Sequence, residues 1–243
     1  MSPALVWSAT LTALSFWESN IRMDVLSAEL ISCDESRKFN EELAETFDSW
    51  RDGVLSAGPQ ASLVKKNQQL DPSSEVSRRI CLSIKEKLLT NPLVQAFSIP
   101  RRIHSMMLSK YEPGDGYGWH VDNPFTSYGR RDLSFTVFLS DPDAYEGGRL
   151  EIQGIQSSES YRPSMGDVVV YSSASIHRVT TVEEGVRYAC VGWIESYVKS
   201  AEDRQLLFSL NAGAKALLAK YGRSDELDLV FQAYTNAMRR LSS

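Results

Sequence analysis

The chain has 243 residues, 42% of them hydrophobic and 23% charged, which is ordinary globular usage and enough for a sizeable core, with one domain favoured over two. A net charge of −5 argues against a nucleic-acid or anionic-membrane surface, since both need a concentrated basic patch and only pairs such as Lys65-Lys66 and Arg101-Arg102 occur. Cys33, Cys81 and Cys190 are odd in number, far apart in the chain and without a Cys-x-x-Cys, which argues against a disulfide framework and suits a reducing cytoplasm.

Residues 1–17 are mildly apolar, but no Lys or Arg precedes the apolar stretch and no uncharged span reaches membrane length, so a signal peptide or anchor fits poorly. Met23 offers a second start, and residues 1–22 read as an extension or a mis-called start. Residues 25–31 then read as a first strand. Asp34 can cap a helix whose apolar positions Phe39, Leu43, Phe47 and Trp50 recur every three or four residues, with Gly53 just past its end. The segment Lys65-Lys66-Asn67-Gln68-Gln69 is by composition a solvated loop between helices. A second helix opens at Asp71-Pro72-Ser73, buries Val76, Ile80, Ile84 and Leu88, and stops at Asn91-Pro92.

From Ile103 the texture changes to short β-rich runs separated by Gly, Pro and Asp: 103–111, 132–139, 149–153, 167–172, 176–182 and 186–195. That is the pattern of a double-sheet β body. After Ser200 two helical stripes follow, Leu206, Leu210 and Leu217, then, beyond Gly222, Leu227, Val230, Tyr234, Met238 and Leu241. Such stripes pack on their own subunit or, alternatively, against a second copy of the chain in a homodimer.

Two of the three histidines stand out within this body. In an extended segment alternate side chains share a face, so His120 and Asp122 project to one side while Val121 points into the opposite, apolar layer. His177 is the remaining histidine in a plausible strand, brought back by the fold from a distant segment. Two imidazoles and a carboxylate on one side of a metal leave the opposite positions open, the ligand set of non-heme Fe(II) oxygenases. Arg187 follows His177 by ten positions inside the apolar run 186–193, and a buried arginine needs an anion. His104 lies in the run 102–108 and reads as a partly buried strand residue, not a ligand.

The string Tyr111-Glu112-Pro113-Gly114-Asp115-Gly116-Tyr117-Gly118-Trp119-His120-Val121-Asp122, with the later Ser175-Ile176-His177 and Arg187, resembles the Fe(II)- and 2-oxoglutarate-dependent dioxygenases of the prolyl 4-hydroxylase type. That likeness spans about residues 102–196. Leu63 to Leu70, Phe138-Leu139-Ser140-Asp141-Pro142 and the helical tail are similar to the bacterial, iron-uptake-associated PKHD-type hydroxylases, which extends it to most of the chain after Met23.

The resemblance implies a mainly β fold with flanking helices, a double-stranded β-helix or jelly roll braced from both ends. It divides the chain into helical support with a first strand (23–101), a dioxygenase core (102–196) and a helical tail (197–243). It implies His120, Asp122 and His177 as catalytic Fe(II) ligands, and Arg187 as the holder of the far carboxylate of 2-oxoglutarate. Tyr111 is implied as a further co-substrate contact or, equally, a core aromatic, and the same choice applies to Tyr117. Lys65 to Gln69 is a hallmark of the branch and is expected beside the substrate entrance.

The expected activity is hydroxylation of an unactivated C–H bond coupled to oxidative decarboxylation of 2-oxoglutarate to succinate and CO2, with O2 as the other co-substrate and L-ascorbate as reductant. The substrate is a small molecule, such as a siderophore, or a prolyl peptide; nothing in the residues selects between them. No nucleic-acid or membrane partner is expected. Two alternatives stay open: a cupin-like metal-binding protein that does not use 2-oxoglutarate, and a nucleic-acid demethylase of the same superfamily.

Overall fold

Strands that are buried on both faces alternate between two different apolar environments, and this determines where everything else lies. In a computed structural model of the protein, residues 21–22, 24–154 and 157–243 are described, so the expected N-terminal extension falls almost wholly outside the described residues. The first part of the fold comprises β1 (Ile21–Arg22), β2 (Val25–Glu29), α1 (Cys33–Glu45), β3 (Trp50–Asp52), β4 (Lys65–Lys66), β5 (Gln68–Leu70), α2 (Glu75–Thr90) and α3 (Pro92–Ser98). The β body runs through β6 (Pro100–Tyr111), β7 (Gly116–His120), β8 (Phe125–Thr126), β9 (Gly129–Arg130), β10 (Leu133–Phe138), β11 (Tyr145–Gly147), β12 (Leu150–Gln153), β13 (Ser158–Tyr161), β14 (Asp167–Ser172), β15 (His177–Val179), β16 (Val182–Gly185) and β17 (Arg187–Ser196). Two helices close the chain, α4 (Ala201–Tyr221) and α5 (Asp225–Leu241).

Two antiparallel sheets form the jelly roll. The larger has eight strands in the order β1-β2-β14-β10-β17-β6-β5-β3, and the smaller has five, β13-β12-β15-β7-β4. Period-two alternation assigns the faces. In β14, Val168 and Val170 join the core shared with the helices, whereas Val169 and Tyr171 join Val25, Phe138, Leu150 and Ile152 on the side of the smaller sheet. In β17, Tyr188, Cys190 and Ile194 belong to the helix-side core. The opposite parity, with Arg187, Val191 and Trp193, therefore faces the space between the sheets.

The helices cover the outer face of the larger sheet. Ile80, Ile84 and Leu88 of α2 are completely buried there together with Phe39 and Leu43 of α1, and each such side chain contributes about 1.5–3 kcal/mol of hydrophobic transfer. At the other end Ile99, Val198 and Leu207 gather Tyr234, Ala237, Met238 and Leu241 of α5.

Several expectations are corrected. The first helix is capped by Ser32, which accepts from the Glu35 amide, and it ends at Glu45. Trp50 is therefore not on its stripe; its indole Nε1 instead donates to the Thr46 carbonyl (2.7 Å), satisfying an open carbonyl just beyond the helix end, and Phe47 is 80% exposed. Asn91-Pro92 does stop α2, but Asn91 also caps α3 by accepting from Leu93 and Val94, so the stop is equally a start. In α4 the buried face is Leu207, Phe208 and Ala214, while Leu206 and Leu217 are exposed. Lys65 to Gln69 is not a solvated loop: β4 pairs with β7, β5 pairs with β6, and Lys65, Asn67 and Gln69 are buried.

Ile84→Ala is expected to lower stability by about 2–5 kcal/mol through loss of transfer energy and the cavity left at a fully buried site. Leu82→Ala, at a side chain 58% exposed on the same helix, is expected to stay within about 0.5 kcal/mol. Urea midpoints of the two variants measure the difference, and equal midpoints would contradict the assignment of the buried face.

Candidate metal centre

The smaller sheet places the two histidines. His120 closes β7 and His177 opens β15, and the two are direct antiparallel partners, with their ring centroids 4.2 Å apart. Each ring is held from behind by a backbone carbonyl: His120 Nδ1 lies 2.8 Å from the Gly118 oxygen, and His177 Nδ1 lies 3.0 Å from the Ser175 oxygen. A carbonyl can only accept, so both Nδ1 atoms carry the proton. The Nε2 lone pairs are left as the ligating positions. Tyr117 stacks on the His120 ring (3.6 Å, 17°), and Tyr171 meets His177 edge-on at 5.0 Å.

The larger sheet places the carboxylate. Asp122 Oδ2 accepts from Ser134 Oγ at 2.6 Å and from Trp193 Nε1 at 2.9 Å. Ser134 and Trp193 are themselves register partners on β10 and β17, and Ser134 Oγ is in turn 2.8 Å from Ser173 Oγ. Asp122 Oδ2 lies 3.8 Å from His177 Nε2, and donor atoms of His120, Asp122 and His177 all fall within 4.8 Å of one another. Two neutral nitrogens and a carboxylate oxygen at this spacing fit one ferrous ion on a single open face.

The expected position of Val121 is corrected. β7 ends at His120, so the alternation that would turn Val121 into an apolar layer stops there, and Val121 is 48% exposed at the cavity rim. The segment leaves the smaller sheet after His120 and reaches across to the larger one, which is how a His-x-Asp spacing joins two sheets. Sequence reading also passed over Ser134 and Trp193. A signal for both exists: Ser134 and Thr136 are the polar alternates of an otherwise apolar run, and Trp193 shares the parity of Arg187.

Burial explains the electrostatics. Burial first, and the neighbouring His177 second, push the pKa of His120 down to about 4 from 6.5. Burial also raises the phenol pKa of Tyr117 and that of Tyr171. Lys65 is lowered to about 8, again chiefly by burial, with Asp122 and Asp52 opposing.

A cavity of about 690 Å³ opens over the triad. It reaches inward to Tyr111 and Tyr171, and Lys65 and Gln69 line it. Past Tyr111 lies Arg187, its register partner across β6 and β17, 1% exposed, with the guanidinium carbon 5.1 Å from the Tyr111 ring and 5.2 Å from the Phe138 ring. All three guanidinium nitrogens are buried without a hydrogen-bond partner among the described residues. Gly148, at φ +57°, backs this side chain so closely that a Cβ would stand 2.8 Å from Arg187 Cδ. His104 is buried far from any such role, between the Arg130 carbonyl (2.8 Å) and Ser105 Oγ (3.0 Å).

Comparison with known proteins gives a consistent result. The 2OG-Fe(II) oxygenase superfamily matches residues 106–195. The chain is 54% identical to a PKHD-type hydroxylase of Synechococcus sp. (strain CC9902) over 90% of its own length and 99% of that protein. It is 48% identical to a PKHD-type hydroxylase of Prochlorococcus marinus (strain AS9601) over 91% of this chain and all of that one. A crystal structure of a Pseudomonas putida prolyl-4-hydroxylase shares the fold at a TM-score of 0.51 and 16% identity, covering 77% of this chain and 98% of the other.

The depressed His120 pKa has a consequence for the metal-free protein. Between pH 6.5 and 4 the unfolded chain binds this proton and the folded chain does not, so the residue's contribution to stability is complete above 6.5 and is lost as pH falls towards 4. With chelator present, His120→Gln is expected to flatten the fall in thermal midpoint across that window. A fall as steep as that of the unaltered protein would contradict a neutral, half-buried imidazole at His120.

Proposed function

Because the chain belongs to the PKHD-type hydroxylases of the 2OG-Fe(II) oxygenase superfamily, we propose that His120, Asp122 and His177 hold its ferrous iron and that Arg187 receives the far carboxylate of 2-oxoglutarate. The single observation that carries this reading is the Arg187 guanidinium. Buried with no acceptor among the described residues for any of its three nitrogens, it would cost several kcal/mol unless an anion arrives. A forked carboxylate matches its donors, and a cupin-like protein that did not use 2-oxoglutarate would have no use for it.

What the iron supplies when bound is the activation of dioxygen that converts 2-oxoglutarate to succinate and CO2 and hydroxylates a C–H bond of the substrate. The chain's own residues do the rest. The Gly118 and Ser175 carbonyls keep both imidazoles in the ligating tautomer. Ser134 and Trp193 fix the Asp122 carboxylate from the opposite sheet. Tyr111 and Phe138 wall Arg187 with aromatic rings, which keeps water from its donors and strengthens the pair it forms.

L-Ascorbate enters this reading as the external reductant that restores ferrous iron after unproductive turnover. The three free cysteines support a reducing, cytoplasmic setting. Among the described residues no helix is long and apolar enough to cross a membrane. Leu206, Leu217, Leu218 and Tyr221 of α4 and Leu229 of α5 are exposed apolar side chains, and they support a contact with a second copy of the chain.

Succinate release from the anaerobically reconstituted Fe(II) protein, started with O2, tests the assignment. Arg187→Ala is expected to raise the apparent KM for 2-oxoglutarate by a factor of at least about 10, with Arg187→Lys in between because a point charge replaces a fork. Gly148→Ala is expected to raise it as well, by displacing Arg187. An unchanged KM in Arg187→Ala would remove the co-substrate role.

A further inference from the structure

Resting on the reading above, we propose that the substrate is a small aliphatic carboxylic acid, and that Arg131, supported by Lys65, receives its carboxylate beside the metal. Three charged side chains line the cavity: Lys65, Asp122 and Arg131. The one acid among them belongs to the iron triad, and Arg187, farther in, is reserved for 2-oxoglutarate. Asp122 attracts both cations in the outer part of the cavity, and Asp52 attracts Lys65 as well, but neither carboxylate reaches them as an ion pair among the described residues.

Both are poorly served by the protein. Neither Lys65 nor Arg131 has a carboxylate within ion-pair distance among the described residues, whereas Arg130, the chain neighbour of Arg131, reaches both Asp132 and Glu195. The Arg131 guanidinium carbon lies 3.7 Å from the centre of the Trp193 ring, and its Nε is buried with no acceptor among the described residues. Trp193 is the residue that donates to Asp122, so this cation is stacked one side chain away from the metal ligand. Lys65 is 8% exposed, donates through Nζ to Ser56 Oγ (2.8 Å), and lies 5.0 Å from the Tyr117 ring that stacks on His120.

Stacking on an indole holds a guanidinium in place but does not satisfy its N–H donors. A carboxylate does so with two parallel bonds. The rest of the ligand is indicated by what surrounds the charges. Trp119, Val121 and Ile176 line the same cavity and are 40%, 48% and 42% exposed, a wet apolar wall that a hydrocarbon segment would cover. The cavity volume is within the range of about 300–1,000 Å³ common for small-molecule sites. An acid anchored at Arg131 and laid along this wall brings aliphatic carbon to the open face of the triad.

The test uses the full chain loaded with Mn(II) and saturating 2-oxoglutarate under argon, so that no turnover occurs and the Arg187 end is filled. Matched probes, hexanoate with hexanamide and N-acetylleucine with N-acetylleucinamide, are titrated while paramagnetic broadening of their proton signals by Mn(II) is followed. The proposal expects saturable broadening by the acids, with affinity for the amides weaker by a factor of at least about 10, and a comparable loss for the acids in Arg131→Met. Lys65→Met is expected to weaken the acids less. Equal broadening by acid and amide, broadening by the amides alone, or none by either acid overturns it.

The acid-to-amide comparison on the unaltered protein stands without the variants, should either fold poorly. Failure of 2-oxoglutarate itself to bind the Mn(II)-loaded protein sinks the dioxygenase reading instead. Retention of 2-oxoglutarate with no acid preference sinks this inference alone.

Discussion

The proposed metal centre depends on a contact between two sheets that, among the described residues, have no backbone hydrogen bonds to each other at that point. His120 and His177 are paired on the smaller sheet, while Asp122 is held by Ser134 and Trp193 of the larger one. The spacing between the sheets is set by the apolar residues interleaved between them, chiefly Phe138, Leu150, Ile152, Val169 and Tyr171. A change of packing there moves the carboxylate relative to the imidazoles. The ligand geometry is thus a readout of core packing, and the helices that back the larger sheet bear indirectly on the chemistry.

The same architecture places a charged side chain, Arg187, in the interior at 1% exposure. Arg187 is the largest of the fully buried side chains and lies at the inner end of the alternation that also orients Trp193. Its aromatic walls offer the guanidinium favourable faces but no acceptors. An interior arranged this way is incomplete as a protein core, and the proposed co-substrate carboxylate is what would complete it.

Much of this could be read from the residues. The stripe Ile80, Ile84, Leu88 and the runs that became β6, β10, β14 and β17 were plain because long periodic segments bury one defined face. His120, Asp122 and His177 stood out because few histidines are present. What escaped depended on contacts distant in sequence. β4 and β5 are too short to show a period, and they exist because β7 and β6 offer edges to pair with. Val121 was misplaced because the end of a strand is set by its partner, not by its own pattern. The buried stripe of α4 is Leu207, Phe208 and Ala214 and not the expected Leu206, Leu210 and Leu217, since on a helix rich in apolar residues nearly every face is a candidate.

The order of strands in the larger sheet also bears on how the protein is made. β17, near the end of the β body, lies in the middle of the sheet with β10 on one side and β6 on the other, and β2, which precedes the β body in the chain, pairs with β14. A growing chain on the ribosome therefore carries open ladder edges on β10 and β6 until Ser196 has left the exit tunnel. Closure of this body therefore waits on its last long strand, and until then those edges are open to pairing with one another or with a neighbouring nascent chain.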